Sequence, residues 1–381
     1  MLGTRGVPAA YSGFETAVEN LGTRLAARGH DVTVYCRPHM VEGRYEVYHG
    51  MRLVYLPTIA SKHLDTFVHT FLSTLHMAAF VRPDAALYFI AGNSPFALLS
   101  RLLGVPSVIN VDGLDSRRAK WSGPARRYLR WAERKAPRFA TRVITDSRVL
   151  QRLYLEEHGA ETEYVPYGAE VPATTSLTHL ERLGLRPRGY LLFVGRLVPE
   201  NNAHVLVEAF EALDTDLRLV IVGDAPYADE YQAALRATTD PRILFTGYLF
   251  GEAYHELARN AAVFVVPTEV GGTHPVLVEA MAAGNCVVVN DHEPNLEVID
   301  DAGVAYRGTG GAVALREVLR ELLRQPERIE ALRRAAAARA AALYSWDAAT
   351  DAYERLASAV RRQSRAPAPS RRPPQANSGS G

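Results

Sequence analysis

The sequence predicts an α/β protein made of two similar units, each with a parallel sheet covered by helices, and three observations support this prediction. The chain has 381 residues, which is too long for a single hydrophobic core of ordinary size. Short apolar segments typical of buried strands alternate with segments of helical periodicity along most of the chain. Between two such series, residues 166–188 are rich in Pro, Thr and Gly and lack periodicity, and we place the interdomain linker near residues 171–178. We therefore expect two Rossmann-like domains with a cleft between them.

The individual elements follow from local patterns of apolar residues. One face of the first predicted helix carries Phe14, Val18, Leu21 and Leu25, and Gly29 ends that helix. The clearest strand candidates of the first unit are residues 31–36, 52–56, 86–91, 107–111 and 142–145. Those of the second unit are residues 190–194, 217–222, 242–245, 262–266 and 286–289.

The beginning of the chain departs from this scheme. The glycine-rich loop Gly3-Thr4-Arg5-Gly6 comes after only two residues, whereas in a doubly wound sheet such a loop follows a central strand. Met1 and Leu2 are too few for a strand, and an empty central position would leave backbone groups of both neighbouring strands unpaired. We therefore expect the first strand to be missing from this sequence and to be encoded upstream.

The domain limits follow from the linker and from the composition of the last third. We place the N-terminal domain at residues 1–172 and the C-terminal domain at residues 173–345. A final helix over residues 346–363 follows a region rich in Ala and Arg. Residues 364–381 are mostly Pro, Ser, Arg and Gly, too polar to bury a core, and are expected to be disordered.

Composition and motif searches exclude several classes of function. The formal net charge of +1 gives no whole-chain signal for nucleic acid. The only cysteines, Cys36 and Cys286, stand in separate apolar runs, which favours a reducing compartment. There is no apolar run long enough to cross a membrane and no signal peptide, so we expect a cytoplasmic protein. The sequence lacks metal-spaced His/Cys clusters, a P-loop and a serine nucleophile elbow.

The strongest candidate site is the stretch from Thr268 to Gly284, a glycine-containing loop that opens a helix. Two glycines allow close approach of a ligand, Thr273 can cap the helix, and Pro275 suits its first turn. The free N–H groups at that helix N-terminus favour an anion such as a diphosphate. Glu279, one turn further, is placed to accept hydrogen bonds from a ribose diol. An ordinary capped helix with a solvated glutamate explains the same pattern.

A second candidate is the stretch from Phe193 to Asn202, which follows an apolar strand and opens a helix. Ligands of open α/β sheets bind at this edge, and Arg196 is placed to neutralise a leaving diphosphate with its two-pronged guanidinium. A surface arginine at the end of a strand is the alternative interpretation.

Two stretches of the first unit are weaker candidates. Residues 3–15 contain Gly3, Gly6 and Gly13 and could hold phosphate or the reacting sugar, although glycines also serve tight turns. Asp112 directly follows a strand and could orient a sugar hydroxyl or act as a base, whereas an Asp-Gly turn with Gly113 is the simpler explanation.

Residues 117–142 contain ten basic and few acidic side chains, several at helical spacing with aromatic residues between them. This segment could lie against an anionic membrane, or it could be a solvated basic helix. Residues 63–81 form a second helical stretch, in which core packing accounts for Phe67, Phe71, Leu75 and Phe80.

Taken together, these stretches resemble the retaining family-4 glycosyltransferases of the GT-B fold, from about Gly3 to about Tyr353, and most closely a bacterial rhamnosyltransferase-like branch. The matching residues are Gly3-Thr4-Arg5-Gly6-Val7-Pro8, Gly13-Phe14-Glu15-Thr16, Asn110-Val111-Asp112-Gly113-Leu114, Arg118-Ala119-Lys120-Trp121, Pro199-Glu200-Asn201-Asn202 and Val270-Gly271-Gly272-Thr273.

The resemblance implies roles for these residues. Arg196 would bind the donor diphosphate, Glu279 would hold the nucleotide ribose, and Asp112 would stand where many members carry a histidine facing the donor sugar. Gly13 would lie near the donor phosphates on the opposite wall, and the last helix would return across the first domain. The loop that would contact the donor phosphate and sugar consists of Gly271, Gly272, Thr273, His274 and Pro275.

Two positions depart from the family pattern. The first glutamate of the family's glutamate pair would fall at Gly271, where the nearest carboxylate is Glu269, and the lysine that accompanies the diphosphate arginine would fall at Asn201. His274 and the helix N-terminal amides are candidates to compensate for both changes.

The activity implied by the resemblance is metal-independent transfer of a sugar from a nucleotide diphosphate donor, with retention, to a saccharide or lipid-linked saccharide acceptor of the cell surface. No cofactor is implied, and the branch favours dTDP-rhamnose as donor. The rival hypotheses are a nucleotide-sugar epimerase, which needs no acceptor, and a non-catalytic protein that kept the fold.

Overall fold

The computed structural model describes residues 1–9, 13–41, 43–61, 64–118, 121, 123–225 and 228–365. The predicted disordered tail, from residue 366 onward, and Ala119 and Lys120 of the basic segment lie outside these residues. Parallel strands and helices alternate in two domains, which confirms the predicted α/β architecture.

The N-terminal domain contains seven short strands in the described part of the chain. They are β1 (Thr33–Cys36), β2 (Val47–Tyr48), β3 (Met51–Tyr55), β4 (Ala86–Phe89), β5 (Ser107–Val111), β6 (Arg142–Thr145) and β7 (Glu163–Tyr164). Its helices are α1 (Gly13–Ala27), α2 (Asp65–His76), which continues as a π-helix over Met77–Val81, α3 (Ser94–Leu102), α4 (Gly123–Phe139) and α5 (Arg148–His158).

Met1 and Leu2 occupy the central position of this domain, between the groups β2-β3-β1 and β4-β5-β6-β7. Leu2 pairs in parallel with Tyr88, donating its N–H to the Leu87 carbonyl at 2.9 Å. On the other side, the Tyr35 N–H donates to the Met1 carbonyl at 3.1 Å. Met1 and Leu2 therefore bridge the two strand groups through a single β-bridge and do not form a strand of their own.

The C-terminal domain has one fully parallel six-stranded sheet in the order β10-β9-β8-β11-β12-β13. The strands are β8 (Tyr190–Val194), β9 (Arg218–Val222), β10 (Ile243–Gly247), β11 (Val263–Val266), β12 (Cys286–Asn290) and β13 (Val304–Tyr306). The helices are α6 (Thr178–Arg182), α7 (Ala203–Glu211), α8 (Asp229–Arg236), α9 (Gly251–Asn260), α10 (Pro275–Ala282), α11 (Glu293–Ile299), α12 (Gly311–Leu323) and α13 (Pro326–Leu343). The strand order reverses between β8 and β11, so the loops that follow these two strands diverge and leave a crevice between them.

The last helix, α14 (Trp346–Arg365), packs against the N-terminal domain. Arg28, directly after α1, pairs with Asp351 at 2.7 Å. The buried Asn110 of β5 donates to the Tyr353 hydroxyl. The helix therefore supports the strand that leads directly to Asp112.

Helix α2 differs from its prediction. Phe67, Phe71, Leu75 and Phe80 were expected in the core, but all four are exposed. The buried side of α2 is polar instead, so the interpretation of this stretch as core packing is wrong.

No helix in the described part of the chain is both long and apolar enough to cross a membrane.

Candidate functional site

Two loops of the C-terminal domain border the crevice where the strand order reverses. Arg196 is half-buried in the loop after β8, and the Asn201 side chain donates to the Arg196 carbonyl at 2.7 Å. The amide of Asn201 therefore shapes the loop that carries the arginine, whereas the family's lysine would bring a charge to this position.

The second loop follows β11 and leads into α10. Pro275 stands in the first turn of α10, so His274 is the N-cap residue, and its side chain makes no capping bond. Thr273, predicted to cap α10, instead donates its hydroxyl to the Asp146 carbonyl at 2.9 Å. The capping prediction is wrong because Thr273 lies one residue too early and faces the other domain.

Asp146 is the site residue that sequence analysis missed. It directly follows β6, has no exposed surface, and accepts a 3.1 Å hydrogen bond from the Thr273 N–H through Oδ2. Its Oδ1 has no hydrogen-bond partner in the described part of the chain. Burial, reinforced by the nearby Asp112, raises the pKa of Asp146 well above its usual value. Asp112 follows β5 in the same way, so the position of Asp146 after a strand was the available signal.

The two domains touch through backbone at Gly272. Its N–H donates to the Asp112 carbonyl at 2.8 Å. A Cβ at Gly272 would lie 2.4 Å from Asp146 Oδ1 and 2.7 Å from the Asp112 carbonyl oxygen. Only glycine therefore permits this contact between the domains.

Gly13 and Pro275 meet across the same cleft. A Cβ at Gly13 would lie 2.6 Å from Pro275 Cγ. Because Gly13 begins α1 and Pro275 begins α10, two helix N-termini from different domains open onto one place. The positive ends of two helix dipoles meet there, which favours an anion.

Charged side chains surround Asp112 in the cleft. Burial, with Asp115 adding to it, raises the pKa of Asp112 to about 6, and Arg118 and Arg196 oppose the rise. Arg118 pairs with Asp115 at 2.9 Å. Burial alone would lower the pKa of Arg118, but Asp115, Asp112 and Glu200 of the other domain raise it. Arg118 therefore stays charged between carboxylates of both domains.

His274 is directed into its own loop. Its Nδ1 lies 2.7 Å from Asn295 Oδ1, and its Nε2 lies 3.2 Å from the Val270 carbonyl. The Asn295 amide nitrogen donates to the Thr268 carbonyl, so the side-chain oxygen of Asn295 faces His274. Burial lowers the pKa of His274 to about 4, so the neutral ring donates one proton, and the shorter bond favours Nδ1 as the donor. His274 therefore stabilises the loop.

Glu279 lies one turn into α10 and accepts a 2.7 Å hydrogen bond from the Tyr254 hydroxyl. Burial raises the pKa of Glu279, while that hydrogen bond opposes the rise. The carboxylate is therefore held in a defined position by Tyr254, unlike the solvated glutamate of the alternative interpretation.

Gly271 has a φ of +134°, a backbone conformation that side chains rarely adopt. A Cβ there would also lie 3.0 Å from His274 Nε2. A glutamate at this position would be strained, and the neighbouring Glu269 is exposed. The described residues contain no group of three or more His, Cys, Asp and Glu side chains placed to hold a metal ion.

Comparison with known proteins yields two family matches. The family described as "Glycosyl transferase 4-like domain" matches residues 12–168, and the family "Glycosyl transferases group 1" matches residues 181–339. These segments fall on the two domains described above, on either side of the linker.

Relatives of known activity are glycosyltransferases. The chain is 28% identical over 281 residues to alpha-D-kanosaminyltransferase of Streptomyces kanamyceticus, covering 67% of this chain and 70% of that protein. It is 33% identical over 218 residues to the phosphatidyl-myo-inositol mannosyltransferase of Mycobacterium leprae (strain TN), covering 53% of this chain and 55% of that protein.

Solved structures share the whole architecture. HepE of Anabaena, crystallised with UDP-glucose, has a TM-score of 0.76 at 16% identity and covers 93% of this chain and 98% of its own. Sucrose-phosphate synthase from Thermosynechococcus elongatus has a TM-score of 0.75 at 20% identity, over 94% of this chain and 98% of its own. These likenesses show that the fold is GT-B.

Proposed function

This chain is a glycosyltransferase of the GT-B fold, and we propose that it moves a sugar from a nucleotide diphosphate donor to a saccharide or lipid-linked saccharide acceptor. The transfer proceeds with retention of anomeric configuration and requires no bound metal. The similarity to a rhamnosyltransferase-like branch favours dTDP-rhamnose as the donor and synthesis of a cell-surface polysaccharide as the setting.

One observation carries this proposal: α1 and α10 begin on opposite walls of the cleft, with Gly13 against Pro275. A diphosphate bound there would be stabilised by the positive ends of both helix dipoles. Arg196 borders the same cleft, close enough to Asp112 to influence its pKa. An arginine beside two helix N-termini suits the two negative charges of a leaving nucleotide diphosphate.

The nucleoside part of the donor would lie along α10. Glu279 is one turn beyond Pro275, and Tyr254 holds its carboxylate in position. A carboxylate in this place would accept hydrogen bonds from a ribose diol, or from the single hydroxyl of a deoxyribose. The loop of Gly271, Gly272, Thr273, His274 and Pro275 would lie between this point and the reacting sugar.

The reaction would begin with cleavage of the bond between the anomeric carbon and the phosphate oxygen. Arg196 and the helix N-termini would stabilise the departing diphosphate, where negative charge develops. The acceptor hydroxyl would then form the new bond to the anomeric carbon from the same face. Its proton would pass to an oxygen of the leaving phosphate, so no side chain has to act as nucleophile.

Asp112 would face the reacting sugar from the N-terminal domain. Its carbonyl is engaged by Gly272, which fixes the backbone beside the carboxyl group. With a pKa of about 6, the side chain is mostly ionised at neutral pH and would accept a hydrogen bond from a sugar hydroxyl. This role orients the donor sugar and contributes to the choice of sugar.

The acceptor would enter from the N-terminal domain. Among the relatives, one is an N-acetylgalactosaminyltransferase whose substrate is a diphospho-undecaprenol saccharide in Campylobacter jejuni. This supports a lipid-linked acceptor here, and the basic segment 117–142 would bring the enzyme to an anionic membrane at its cytoplasmic face.

The first test is thermal stabilisation of the purified protein by dTDP, UDP, GDP and ADP, each in the presence of EDTA. We expect one nucleotide to raise the melting temperature, because a ligand that binds only the folded state stabilises it. The shift should disappear in E279A and persist in E269A, since Glu269 is exposed. Absence of a shift with every nucleotide would contradict the proposal.

A second measurement separates transfer from the rival activities. The matching nucleotide sugar is incubated with and without a saccharide acceptor, and the anomeric configuration of the product is read by NMR. Transfer predicts product only with acceptor and an unchanged anomeric configuration. A converted nucleotide sugar without acceptor would indicate an epimerase instead.

A further inference from the structure

Helix α2 carries its apolar side chains toward solvent and its polar side chains toward the core. Phe67, Phe71 and Leu75 are 42%, 40% and 39% exposed. The side of the helix that faces the protein is fully buried and consists of His69, Thr70, Ser73 and Thr74. This is the reverse of the usual surface helix, whose apolar stripe faces inward.

Hydrogen bonds on the buried side fix this orientation. His69 Nε2 lies 3.1 Å from the Cys36 carbonyl, and Thr74 Oγ1 lies 3.0 Å from the Tyr88 hydroxyl. Rotating α2 to bury its phenylalanines would break these bonds and leave buried polar groups unpaired. The exposed apolar stripe is therefore built into the fold.

The neighbouring helix α4 presents a basic outer face. Its exposed arginines are Arg127, Arg130, Arg134 and Arg138. Trp131 lies among them and is 38% exposed. Within the described part of the chain, no carboxylate pairs with any of these four arginines. The one acidic residue of α4, Glu133, is on the buried side.

The two helices form one continuous surface. The ring of Phe67 lies 6.1 Å from that of Tyr128, and Tyr128 lies 5.9 Å from Trp131, centroid to centroid. We call this the α2–α4 surface, and it consists of Phe67, Phe71, Leu75, Trp131 and the four arginines of α4.

We propose that the α2–α4 surface binds an anionic lipid bilayer, with its apolar side chains at the acyl boundary and its arginines on headgroup phosphates. Exposed apolar side chains beside unpaired cations are the pattern of membrane-surface helices. Protein–protein interfaces are also enriched in arginine and aromatic residues, so the choice of a bilayer rests on the four like charges of α4, which the phosphates of anionic headgroups can neutralise together. The inference rests on the proposed function, since it identifies where a lipid-linked acceptor would meet the enzyme.

The α2–α4 surface is connected to the cleft through Glu133. The Glu133 carboxylate accepts hydrogen bonds from the Ser116 N–H at 2.8 Å and the Ser116 hydroxyl at 2.6 Å. Ser116 lies in the short segment between Asp112 and Arg118. Binding of α4 to a bilayer would therefore place this segment, and the cleft beside it, at the membrane surface.

The test is co-flotation of the purified full-length protein with vesicles of phosphatidylglycerol and phosphatidylcholine, compared with vesicles of phosphatidylcholine alone. We expect binding to the anionic vesicles and little to the neutral ones. R130Q/R134Q should weaken binding roughly tenfold to thirtyfold, because each interfacial arginine contributes about 1 kcal/mol. F71S/L75S should weaken it roughly tenfold, because both side chains lose their apolar contact with lipid.

Matched control variants lie on the C-terminal domain. R324Q/R334Q removes the same charge from exposed positions, and V313S/L343S replaces two other exposed apolar side chains. Both controls should bind anionic vesicles as the unchanged protein does. Equal loss in the controls and the surface variants would overturn the proposal, as would full binding by F71S/L75S.

The nucleotide-induced thermal shift, measured without vesicles, keeps this inference separate from the proposed function. A surface variant that keeps the nucleotide-induced shift but no longer binds vesicles is folded, and this result supports membrane binding by the α2–α4 surface. A protein that binds the nucleotide but ignores anionic vesicles would overturn the membrane inference and leave the transferase proposal standing. Binding to vesicles without binding of any nucleotide would contradict the transferase proposal and leave the membrane inference standing.

Discussion

Asp146 and Thr273 join the two domains through a pair of hydrogen bonds, although 127 positions separate them in the sequence. The Asp146 carboxylate accepts the Thr273 N–H, and the Asp146 carbonyl accepts the Thr273 hydroxyl. Because Thr273 belongs to the loop that opens α10, this pair holds the proposed phosphate-binding loop against the N-terminal domain. It exists only when the cleft is closed at this point.

The first prediction concerns this pair. Asp146→Ala should lower kcat/KM for the donor roughly fivefold to a hundredfold, because leaving the buried Thr273 N–H without a partner costs about 1–3 kcal/mol. Asp146→Asn keeps an acceptor oxygen and should retain more of the activity. Steady-state kinetics with varied donor measure both. Equal kcat/KM in Asp146→Ala and the unchanged protein would show that closure does not depend on this contact.

The second prediction concerns Arg196. Arg196→Ala should reduce kcat roughly a hundredfold to a thousandfold, the usual cost of removing one group that stabilises developing negative charge. The KM for the acceptor should change little. Arg196→Lys restores the charge without the two-pronged geometry and should recover part of the loss. Unchanged turnover in Arg196→Ala would remove this arginine from the mechanism.

The third prediction concerns Asp112 and pH. Its pKa rises from 3.8 in a model compound to about 6 in the folded protein, mainly through burial. Between these values the folded state binds more protons than the unfolded state, so the free energy of unfolding contributed by Asp112 falls as pH rises from about 4 to 6. Urea unfolding at pH 4.5 and pH 7 should show a smaller decline in Asp112→Asn. A decline identical to that of the unchanged protein would show that Asp112 does not cause the fall in the free energy of unfolding.

The fourth prediction compares two glutamates of α11 that face the N-terminal domain. The Glu297 carboxylate accepts hydrogen bonds from the backbone N–H groups of Arg148 and Val149, at 2.7 and 2.9 Å, and so caps α5 of the other domain. Glu293 pairs with Arg152, and both side chains are exposed. Glu297→Ala should raise the KM for the donor several-fold, since a lost cap costs about 1 kcal/mol.

Glu293→Ala is the matched control for this capping contact. It should change the KM for the donor by less than twofold, because exposed ion pairs contribute little. Donor titrations under identical salt conditions compare the two variants directly. A larger effect in Glu293→Ala than in Glu297→Ala would mean that surface charge, rather than the cap, holds the domains together.

The sequence by itself determined the architecture and the two loops of the C-terminal domain that we propose as the donor site. Strand periodicity located the ends of β8 and β11, and the loops after them hold Arg196 and Gly271, as expected. These predictions succeed because they depend on local properties: apolar runs form strands, and glycines allow conformations such as the φ of Gly271. The resemblance added possible roles to these residues.

Only the tertiary structure decided which residues from distant parts of the chain meet. The contacts of Asp146 with Thr273 and of Gly13 with Pro275 depend on how two domains approach each other, which no local pattern records. The same holds for α2, whose periodicity predicts an apolar face but not its direction. The buried hydrogen bonds of His69 and Thr74, which join α2 to neighbouring strands, hold that face to the outside.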